Sequence, residues 1–358
     1  MTSLPPVAHL TKTRYPKMNN ILRTVLAAVT LSLCLGGGAL AQSFNVKTAS
    51  GNVLRLTVRD PVKKRVQLVN PGSSRTGTVE VPEKVIYKKQ VYKVTSIGEG
   101  AFGPDDTVEQ LILPASLDSI WPRAFKGCRT LCGVVFPVNE VFIGEEAFMG
   151  TGLKSVSFGS GWKKVDLKEF RWVSTLREIF IPAQVRQITG LKTLECLENI
   201  TVDGNNRSFK TVDGILYDYE GKTLLSVPRN RSADVEVPEG VDTILNNAFL
   251  HCNAVENITL PSSLTSLSFL EFENCMTLQT LTMKRKEPIL TASIGGREVF
   301  VLKIPRSFKV LKVSRTALKE YRDAIVKEPG MYRTIDGKLE GPITGATALS
   351  AANLRFYL

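Results

Sequence analysis

A pattern of about 23 residues recurs seven times along this chain. Each copy opens on an apolar residue, and most copies place a phenylalanine five positions later. The opening residues are Ile97, Ile120, Ile143, Val165, Ile188, Ile244 and Leu267. The phenylalanines are Phe102, Phe125, Phe148, Phe170, Phe249 and Phe272. A fixed period of this length predicts a repeat solenoid, in which each repeat buries its apolar face against its neighbours.

Each repeat closes on a segment that predicts a short strand. In four copies its apolar residues follow a Leu-x-x-Leu-x-Leu spacing, which is typical of leucine-rich repeats. Prolines follow several segments, at points where the strand ladder no longer needs a backbone donor. We therefore expect a leucine-rich-repeat solenoid with a repeat of about 23 residues and a parallel β-sheet on its concave face.

The N-terminal segment predicts export. Residues 22–41 combine a basic residue, an apolar run of about ten residues and the small-x-small site Ala39-Leu40-Ala41, which is the pattern of a secretory signal peptide. The apolar run is too short for a membrane-spanning helix. Translation from Met18 would place this pattern at the N-terminus. Cleavage after Ala41 is favoured over lipid attachment at Cys34, because the large Leu33 precedes that cysteine.

The spacing of the repeats also predicts an insert. The step from Ile188 to Ile244 exceeds one repeat by 33 residues. Two β-type runs in this step, 209–217 and 222–227, flank the turn-forming residues 218–221. They predict a two-stranded hairpin that leaves the stack and returns to it.

The regions that flank the repeats read as caps. Before the repeats, alternating apolar and polar residues predict a β-rich cap that shields the apolar end of the solenoid. After them we expect a strand over 299–304 and a helix from Ser314 to about Val326. The predicted regions are 1–41 as signal peptide, 42–92 as N-terminal cap, 93–285 as repeats with the insert at 203–238, 286–333 as strand-helix C-terminal cap, and 334–358 as a loose tail.

The charge of the chain is moderately basic. The sequence holds 46 Lys and Arg against 34 Asp and Glu, and the first 41 residues contain four of the bases and no acid. The mature chain therefore carries a net charge of +8. No run of five or more bases stands out, so a solvated basic surface is favoured over a nucleic-acid or other acidic partner.

Several motifs resemble catalytic or cofactor sites, but their positions in repeats and turns predict a structural role. Residues 98–103 match G-x-G-x-x-G, but they lie inside a repeat whose glycines vary in the next copies while Ala-Phe persists, so we expect no nucleotide site. After cleavage His251 is the single histidine, which excludes a His-rich metal site and leaves no second candidate for a Ser-His-Asp triad. Asp203-Gly204-Asn205 reads as a plain turn and not a calcium loop. We therefore expect no catalytic residue, metal or cofactor.

The cysteines follow the phase of the repeat. Cys128, Cys252 and Cys275 each lie three residues after a repeat phenylalanine, which predicts small apolar residues that point into the stack. Five cysteines remain after cleavage, and an odd number argues against a complete disulfide framework. A bridge between Cys252 and Cys275, in successive repeats, stays open.

One position in each closing strand should point outward. These residues form the candidate partner-binding face, which we call the face column, and they are Ile112, Val135, Ser157, Phe180, Thr201, Thr259 and Thr282. The N-terminal part of the column is mostly apolar and the C-terminal part is threonine. Exposed apolar residues on a sheet indicate a protein contact, while the β-propensity of the same residues is the other explanation.

The unit Val94-Thr-Ser-Ile-Gly-Glu-Gly-Ala-Phe102, continued by Asp118-Ser-Ile-Trp-Pro-Arg-Ala-Phe-Lys-Gly-Cys128, resembles the BspA-like (Bacteroides surface protein) leucine-rich-repeat family. The resemblance covers about residues 90–285 and departs at Glu169-Phe170 and at Leu191-Lys-Thr193. It implies an exported or cell-surface protein of a Gram-negative, Bacteroides-type bacterium. Some members of the family are linked to adhesion to host matrix proteins or other cells, and the family has no catalytic residues to carry over.

These observations favour a secreted or surface-attached, monomeric binding protein without enzymatic activity, whose partner is a host matrix or cell-surface protein. A glycan partner is the alternative among binding functions, and it requires Trp121, Trp162 and Trp172 to cluster on one face. An enzyme is the alternative from another class, and it requires a deep pocket with converging acids in the insert or the caps.

Overall fold

The structure is a computed structural model. It describes residues 42–70, 75–231, 234–265 and 274–289, together with Leu267, Phe272 and shorter segments. The shorter segments are 29–30, 291–294, 297–300, 307–317, 319–321, 332–335, 338–342 and 354–357. Most of the predicted signal peptide, with Met18 and Cys34, lies outside the described residues.

The first strands precede the repeats. They are β1 (Val29–Thr30), β2 (Ser43–Lys47), β3 (Val53–Asp60), β4 (Arg65–Val69), β5 (Gly77–Glu80) and β6 (Lys84–Tyr87). The strands β1, β2, β3 and β4 pair in antiparallel order, and β1 lies within the predicted signal peptide. Their alternation puts Leu54, Leu56, Val66 and Leu68 on one face, where all four are fully buried.

The repeats alternate between strands of two ladders. The strands are β7 (Gln90–Ile97), β8 (Val108–Ile112), β9 (Ser119–Ile120), β10 (Gly133–Val135), β11 (Phe142–Ile143), β12 (Ser155–Ser157), β13 (Lys164–Asp166), β14 (Glu178–Ile181), β15 (Gln187–Thr189) and β16 (Asn199–Val202). In the last two of these repeats, 3₁₀ turns at Lys168–Phe170 and Leu191–Thr193 take the place of the Ala-Phe turn.

The closing segments form the first leucine sheet, which we define as the parallel strands β5, β8, β10, β12, β14 and β16 in that spatial order. Val134 pairs with Leu111, and Ile179 pairs with both Val156 and Ile200. All five of these residues are buried, with at most 7% of their surface exposed. The predicted repeat solenoid is confirmed in this coarse form.

The opening residues form a second parallel ladder. Ile97, Ile120 and Ile143 pair in sequence through β7, β9 and β11. Val165 and Ile188 pair in a separate two-stranded sheet of β13 and β15. Where the ladder breaks, the carboxylate of Glu140 accepts the backbone N–H groups of Lys163 and Lys164 at 2.6 and 3.1 Å.

The insert differs from the predicted two-stranded hairpin. It contains three antiparallel strands, β17 (Phe209–Val212), β18 (Ile215–Asp218) and β19 (Thr223–Ser226). The run 209–217 is not one strand, because Asp213 and Gly214 turn the chain with φ of 50° and 73°. Two successive positive φ angles are those of a type I′ hairpin turn, which favours Asp-Gly.

Some of the remaining strands build a second parallel sheet, and the others form hairpins or pair with the insert. The strands are β20 (Val235–Glu236), β21 (Thr243–Ile244), β22 (Asn257–Leu260), β23 (Thr280–Met283), β24 (Thr291–Ile294), β25 (Arg297–Phe300), β26 (Val310–Ser314), β27 (Tyr332–Ile335), β28 (Lys338–Pro342) and β29 (Leu354–Tyr357). We call β20, β22, β23, β26 and β29 the second leucine sheet. The strand β21 pairs with β19, so the insert joins the opening ladder.

The C-terminal region departs from the predicted boundaries. A strand is present at 297–300 and the rest of the predicted 299–304 strand lies outside the described residues. Ser314 accepts the N–H of Ala317 at 3.2 Å, which is the expected capping bond, and a 3₁₀ turn follows it. The predicted loose tail instead contains β28 and β29, and β29 pairs with the otherwise open edge of β26.

The repeat phenylalanines fill the interior, as predicted. All six are at most 2% exposed. The rings of Phe102, Phe125, Phe148 and Phe170 follow one another with centroids 4.9, 5.1 and 4.9 Å apart. The fifth repeat has threonine at this position, and the described core divides into two clusters there, one ending at Leu216 and one beginning at Ile215.

Candidate binding surface

The strand register brings most of the face column together. Ile112 pairs with Val135, Val135 with Ser157, Ser157 with Phe180, and Phe180 with Thr201. Adjacent strands in a sheet lie about 4.8 Å apart, so these five side chains form one continuous column across the first leucine sheet.

The remaining two members of the column lie on the other sheet. Thr259 pairs with Thr282 in the second leucine sheet. The column is interrupted between Thr201 and Thr259, because the insert occupies the edge of β16: the N–H of Ile200 donates to the carbonyl of Gly214 at 3.2 Å. The structure therefore gives two separate patches instead of one face.

The column points outward, and its N-terminal patch is apolar. Ile112 is 38% exposed and Val135 is 57% exposed, while their strand neighbours Leu111 and Val134 are buried. Phe180, Thr259 and Thr282 are half-buried, and Ser157 and Thr201 are exposed. An exposed aliphatic pair on a sheet whose other face forms the core is a candidate contact site.

The structure extends each end of the column with a charged residue that the sequence pattern missed. Glu80 pairs with Ile112 at the start of the first sheet, and Lys312 pairs with Thr282 in the second. Both side chains are exposed. For Glu80 the sequence contains a pattern that could have predicted this position, since Val79 and Val81 flank it as Leu111 and Leu113 flank Ile112.

The glycines of the motif allow a backbone conformation and a close backbone approach that other residues hinder. Gly100 has φ of 56°, and Arg123, Glu146 and Asn247 at the equivalent positions of other repeats have φ of 57°, 56° and 66°. This left-handed conformation costs other residues energy, which explains why glycine occurs there. A Cβ at Gly98 would lie 2.9 Å from the carbonyl oxygen of Leu68. The motif leads into β8 and not into a helix, so it lacks the context of a dinucleotide site.

His251 also occupies a backbone position of the repeat that requires positive φ. Its φ is 58°, and it occupies the repeat position of Gly127 and Gly150, which have φ of 80° and 69°. No group of three or more metal-binding side chains occurs among the described residues. In the candidate calcium loop, Asp203 accepts the N–H of Asn205 at 2.8 Å, which closes a turn.

The repeat cysteines point into the stack. Cys128, Cys252 and Cys275 are at most 1% exposed, and each is a thiol. The Sγ of Cys128 donates to the carbonyl of Gly103 at 3.0 Å, and that of Cys275 donates to Phe249 at 3.2 Å. Burial raises the pKa of Cys128 and of Cys252 to about 11. Both therefore act as small apolar residues and not as nucleophiles.

Two ionisable side chains are buried and engaged. Arg75 is 4% exposed, lies 3.1 Å from the carboxylate of Asp105 and covers the ring of Phe102 at 4.4 Å. Burial lowers the pKa of Arg75, against the attraction of Asp105. Glu169 replaces the repeat alanine, and its carboxylate accepts the N–H of Glu146 at 3.1 Å. Each group substitutes for a missing backbone contact, and neither faces a cleft.

An open groove of about 590 Å³ lies over the glycine motif, lined by residues from Glu99 to Arg129. Its acids are engaged: Glu99 pairs with Arg123 at 3.0 Å, and Asp106 accepts the N–H of Arg129 at 3.3 Å. The groove lies in the repeats, outside the insert and the caps where the enzyme alternative places its acids, and its own carboxylates are held by a basic side chain and a backbone N–H group.

The three tryptophans do not share one face. Trp162 is 3% exposed, contacts Phe136 and Phe158, and donates from Nε1 to the carbonyl of Pro137 at 3.0 Å. Trp121 and Trp172 are about half exposed. The condition set for the glycan alternative is thus not met, because one of the three rings belongs to the core.

The fold defines a class, the leucine-rich-repeat solenoid, with one outward column of side chains on its first leucine sheet. Among solved structures, the chain is similar to a leucine-rich repeat protein from Eubacterium ventriosum ATCC 27560 at 22% identity, over 74% of this chain and 77% of that chain, with a TM-score of 0.42. It is also similar to the pneumococcal vaccine antigen PcpA at 17% identity, over 76% and 94% of the two chains, with a TM-score of 0.43. A search of curated proteins finds no match.

A family profile described as BspA type leucine-rich repeat region matches residues 95–212 and 230–293 in six copies. The match covers just over half of the 358 residues. The chain therefore belongs to the BspA-type leucine-rich-repeat family. Such proteins are typically surface or secreted proteins of bacteria, and leucine-rich repeats generally mediate protein binding without enzymatic activity. None of the helices in the described residues is long and apolar enough to cross a membrane.

Proposed function

We propose that the mature protein is an exported adhesion protein that binds a host matrix or cell-surface protein. Binding would use the apolar patch of the first leucine sheet, which we define as Ile112, Val135 and Phe180. The observation that carries this proposal is the register of the strands, which places three apolar side chains in one outward column over a buried face.

The apolar patch has the composition of an interface centre. Ile112 and Val135 are directly opposite each other on adjacent strands, and Phe180 follows two strands further along the column after Ser157. Threonine favours strands as isoleucine, valine and phenylalanine do, and it occupies the same column at Thr201, Thr259 and Thr282, so β-propensity alone does not explain an apolar residue there. The restriction of aliphatic and aromatic residues to one part of the column favours a contact, because exposed apolar surface gains free energy only when a partner covers it.

The regions at the two ends of the repeats support a monomer that presents this surface. We propose that residues 42–92 and 286–333 cap the apolar ends of a solenoid of about 23 residues per repeat, and that the first leucine sheet is its concave face. Export would follow from a signal peptide over residues 1–41 with cleavage after Ala41.

A pull-down with the mature protein, starting at Gln42, tests the proposal. Immobilised protein is incubated with host matrix proteins and, in parallel, with glycans. The triple variant Ile112→Glu, Val135→Glu and Phe180→Glu should lose the captured protein while keeping its circular dichroism spectrum, because three charges would be desolvated in the interface.

The matched control changes the threonine part of the same column, by Thr201→Glu, Thr259→Glu and Thr282→Glu. This variant adds the same charge to the same strand positions and should retain binding. Equal retention of the partner by both triple variants would rule out the apolar patch, and capture of glycans alone would replace the protein partner by a glycan.

A further inference from the structure

The excess positive charge of the chain lies in one region. Residues 42–93 contain eleven Lys and Arg against three Asp and Glu, whereas residues 94–358 contain 31 of each. The whole net charge of +8 after residue 41 therefore lies in residues 42–93, from β2 to the first half of β7. The bases appear scattered along the sequence, and only their distribution between regions shows the asymmetry.

The fold brings three of these bases together on one face. Lys84 pairs with Lys93, and Lys93 pairs with Arg65, so three cations lie directly opposite one another on β6, β7 and β4. All three side chains are exposed. Like charges in such cross-strand positions destabilise a sheet, so this row costs the fold stability and has no structural benefit of its own.

Acids neutralise only one member of the row. Arg65 pairs with Asp60 across β3 and β4, and its guanidinium lies 3.7 Å from Asp118. Neither Lys84 nor Lys93 forms an ion pair with any residue that the structure describes. The lysines thus remain available to an external anion.

Two turns extend the same basic region. Lys88 and Lys89 form the tight turn between β6 and β7, both with positive φ, and Lys63 and Lys64 lie in the turn between β3 and β4. The ammonium of Lys64 donates to the side chain of Gln90, so the two turns lie side by side.

Apolar residues are exposed within this basic region. Ile86 and Val91 pair across β6 and β7, on the same side as Lys84 and Lys93 because side chains alternate along a strand. They are 38% and 54% exposed, and Val62, in the β3–β4 turn, is 87% exposed. We call Val62, Lys63, Lys84, Ile86, Lys88, Lys89, Val91 and Lys93 the basic cap face.

We propose that the basic cap face docks on an anionic lipid surface, with its lysines at the headgroups and Val62, Ile86 and Val91 in the interfacial layer. Cations attract anionic lipids, and apolar side chains add affinity by entering the interface. An acidic polysaccharide would also satisfy the lysines, but it gives the three aliphatic side chains no apolar medium. This docking is separate from the apolar patch, so each proposal can fail without the other.

Co-sedimentation with lipid vesicles tests the docking. The mature protein should bind vesicles that contain phosphatidylglycerol and not vesicles of phosphatidylcholine alone. Binding should weaken as salt is raised from about 0.1 M to about 1 M, since screening shortens the range of the interaction from about 10 Å to about 3 Å. Lys84→Gln, Lys89→Gln and Lys93→Gln together should weaken binding about 100-fold, at the contribution typical of a cation near an anionic surface.

A matched control removes three exposed lysines from the repeats, by Lys154→Gln, Lys163→Gln and Lys164→Gln, and should leave vesicle binding unchanged. The double variant Val62→Ser and Val91→Ser should weaken binding without altering its salt dependence. Binding to heparin beads but not to vesicles would overturn the lipid surface in favour of a polysaccharide. Equal loss in both lysine triples, or no vesicle binding at low salt, would also overturn the proposal.

Discussion

At the scale of single residues, the repeat phenylalanines stack one repeat on the next inside the core. Phe148 is fully buried and stacks between Phe125 and Phe170, whereas Phe142, six residues earlier, is 66% exposed. We expect Phe148→Ala to lower the free energy of unfolding by about 3–5 kcal/mol, because it leaves a cavity in a close-packed interior.

The control for this substitution is Phe142→Ala, which should change stability by no more than about 0.5 kcal/mol, as is usual for surface positions. Denaturant unfolding followed by circular dichroism measures both. Similar losses in the two variants would contradict the account of the phenylalanine stack.

The thiols offer a second test at this scale. Burial raises the pKa of Cys128 and Cys252 to about 11, so at pH 8 these residues hold very little thiolate. Cys132 is exposed. With iodoacetamide at pH 8, we expect fast labelling at Cys132 and labelling of Cys128 and Cys252 only after unfolding, as read by peptide mass spectrometry. Labelling of Cys128 should speed up only as the pH approaches 11, and equal rates at pH 8 would contradict the buried placement.

The phase of the repeat was enough to predict these residue roles. It placed the phenylalanines and the cysteines inside, and it assigned the glycine motif to the backbone. It could not predict that Arg123 and Glu146 adopt positive φ, because neither residue type favours that conformation.

At the scale of elements, the sequence pattern predicts where the insert lies but not how many strands it contains. The 33 extra residues locate it, but the β-type pattern of 209–217 predicts one strand where the structure has two. The Asp213-Gly214 dipeptide, a strong hairpin signal, lies inside that run and divides it. The continuous β-type pattern on both sides hid the turn, since Phe209, Val212, Ile215 and Tyr217 all favour strands.

One buried amide anchors the insert to the turn that follows β14 of the first leucine sheet. Asn206 donates to the carbonyls of Pro182 and Val185 at 2.8 and 3.0 Å, and it accepts the N–H groups of Ser208 and Phe209 at 2.7 and 2.9 Å. We expect Asn206→Ala to cost at least about 1–3 kcal/mol, because it leaves buried backbone groups unsatisfied.

Limited proteolysis provides the measurement, since a loosened anchor should speed cleavage within residues 203–231. The matched control is Asn205→Ala, one residue earlier in the same turn, where the side chain is exposed and bonds to Asp203. Faster cleavage in the Asn205 variant than in the Asn206 variant would refute the anchoring role.

At the scale of the whole molecule, the described core has a weak point at the fifth repeat. The phenylalanine stack stops at Phe170 and resumes at Phe249, and polar contacts occupy the junction: Lys192 donates to the carbonyl of Ala248 at 2.6 Å. Neighbouring repeats hold each other through their interfaces, so a weak interface should let the two halves open separately.

Amide hydrogen exchange of the Phe249→Ala variant tests whether the two halves of the core open separately. The substitution removes the ring that packs on Phe272, with centroids 5.2 Å apart. We expect faster exchange in residues 235–283 and unchanged exchange in residues 94–181. A uniform increase along both halves would indicate one cooperative unit instead of two.

The two candidate surfaces differ in how much of them the sequence could predict. The face column follows from the period, because one position per repeat points outward, and the register places Ile112, Val135 and Phe180 in line. The basic cap face does not follow from any period. Its residues come from two strands and two turns, and only the cross-strand pairing of Lys84 with Lys93 brings them together.

The most direct measurement for the adhesion function is site-specific photo-crosslinking of the mature protein to its captured partner. A crosslinking residue at Val135, in the apolar patch, is compared with one at Leu245, which is 49% exposed but belongs to the opening ladder. The account predicts a crosslinked partner from position 135 and none from position 245. A partner crosslinked from position 245 and not from position 135 would contradict it.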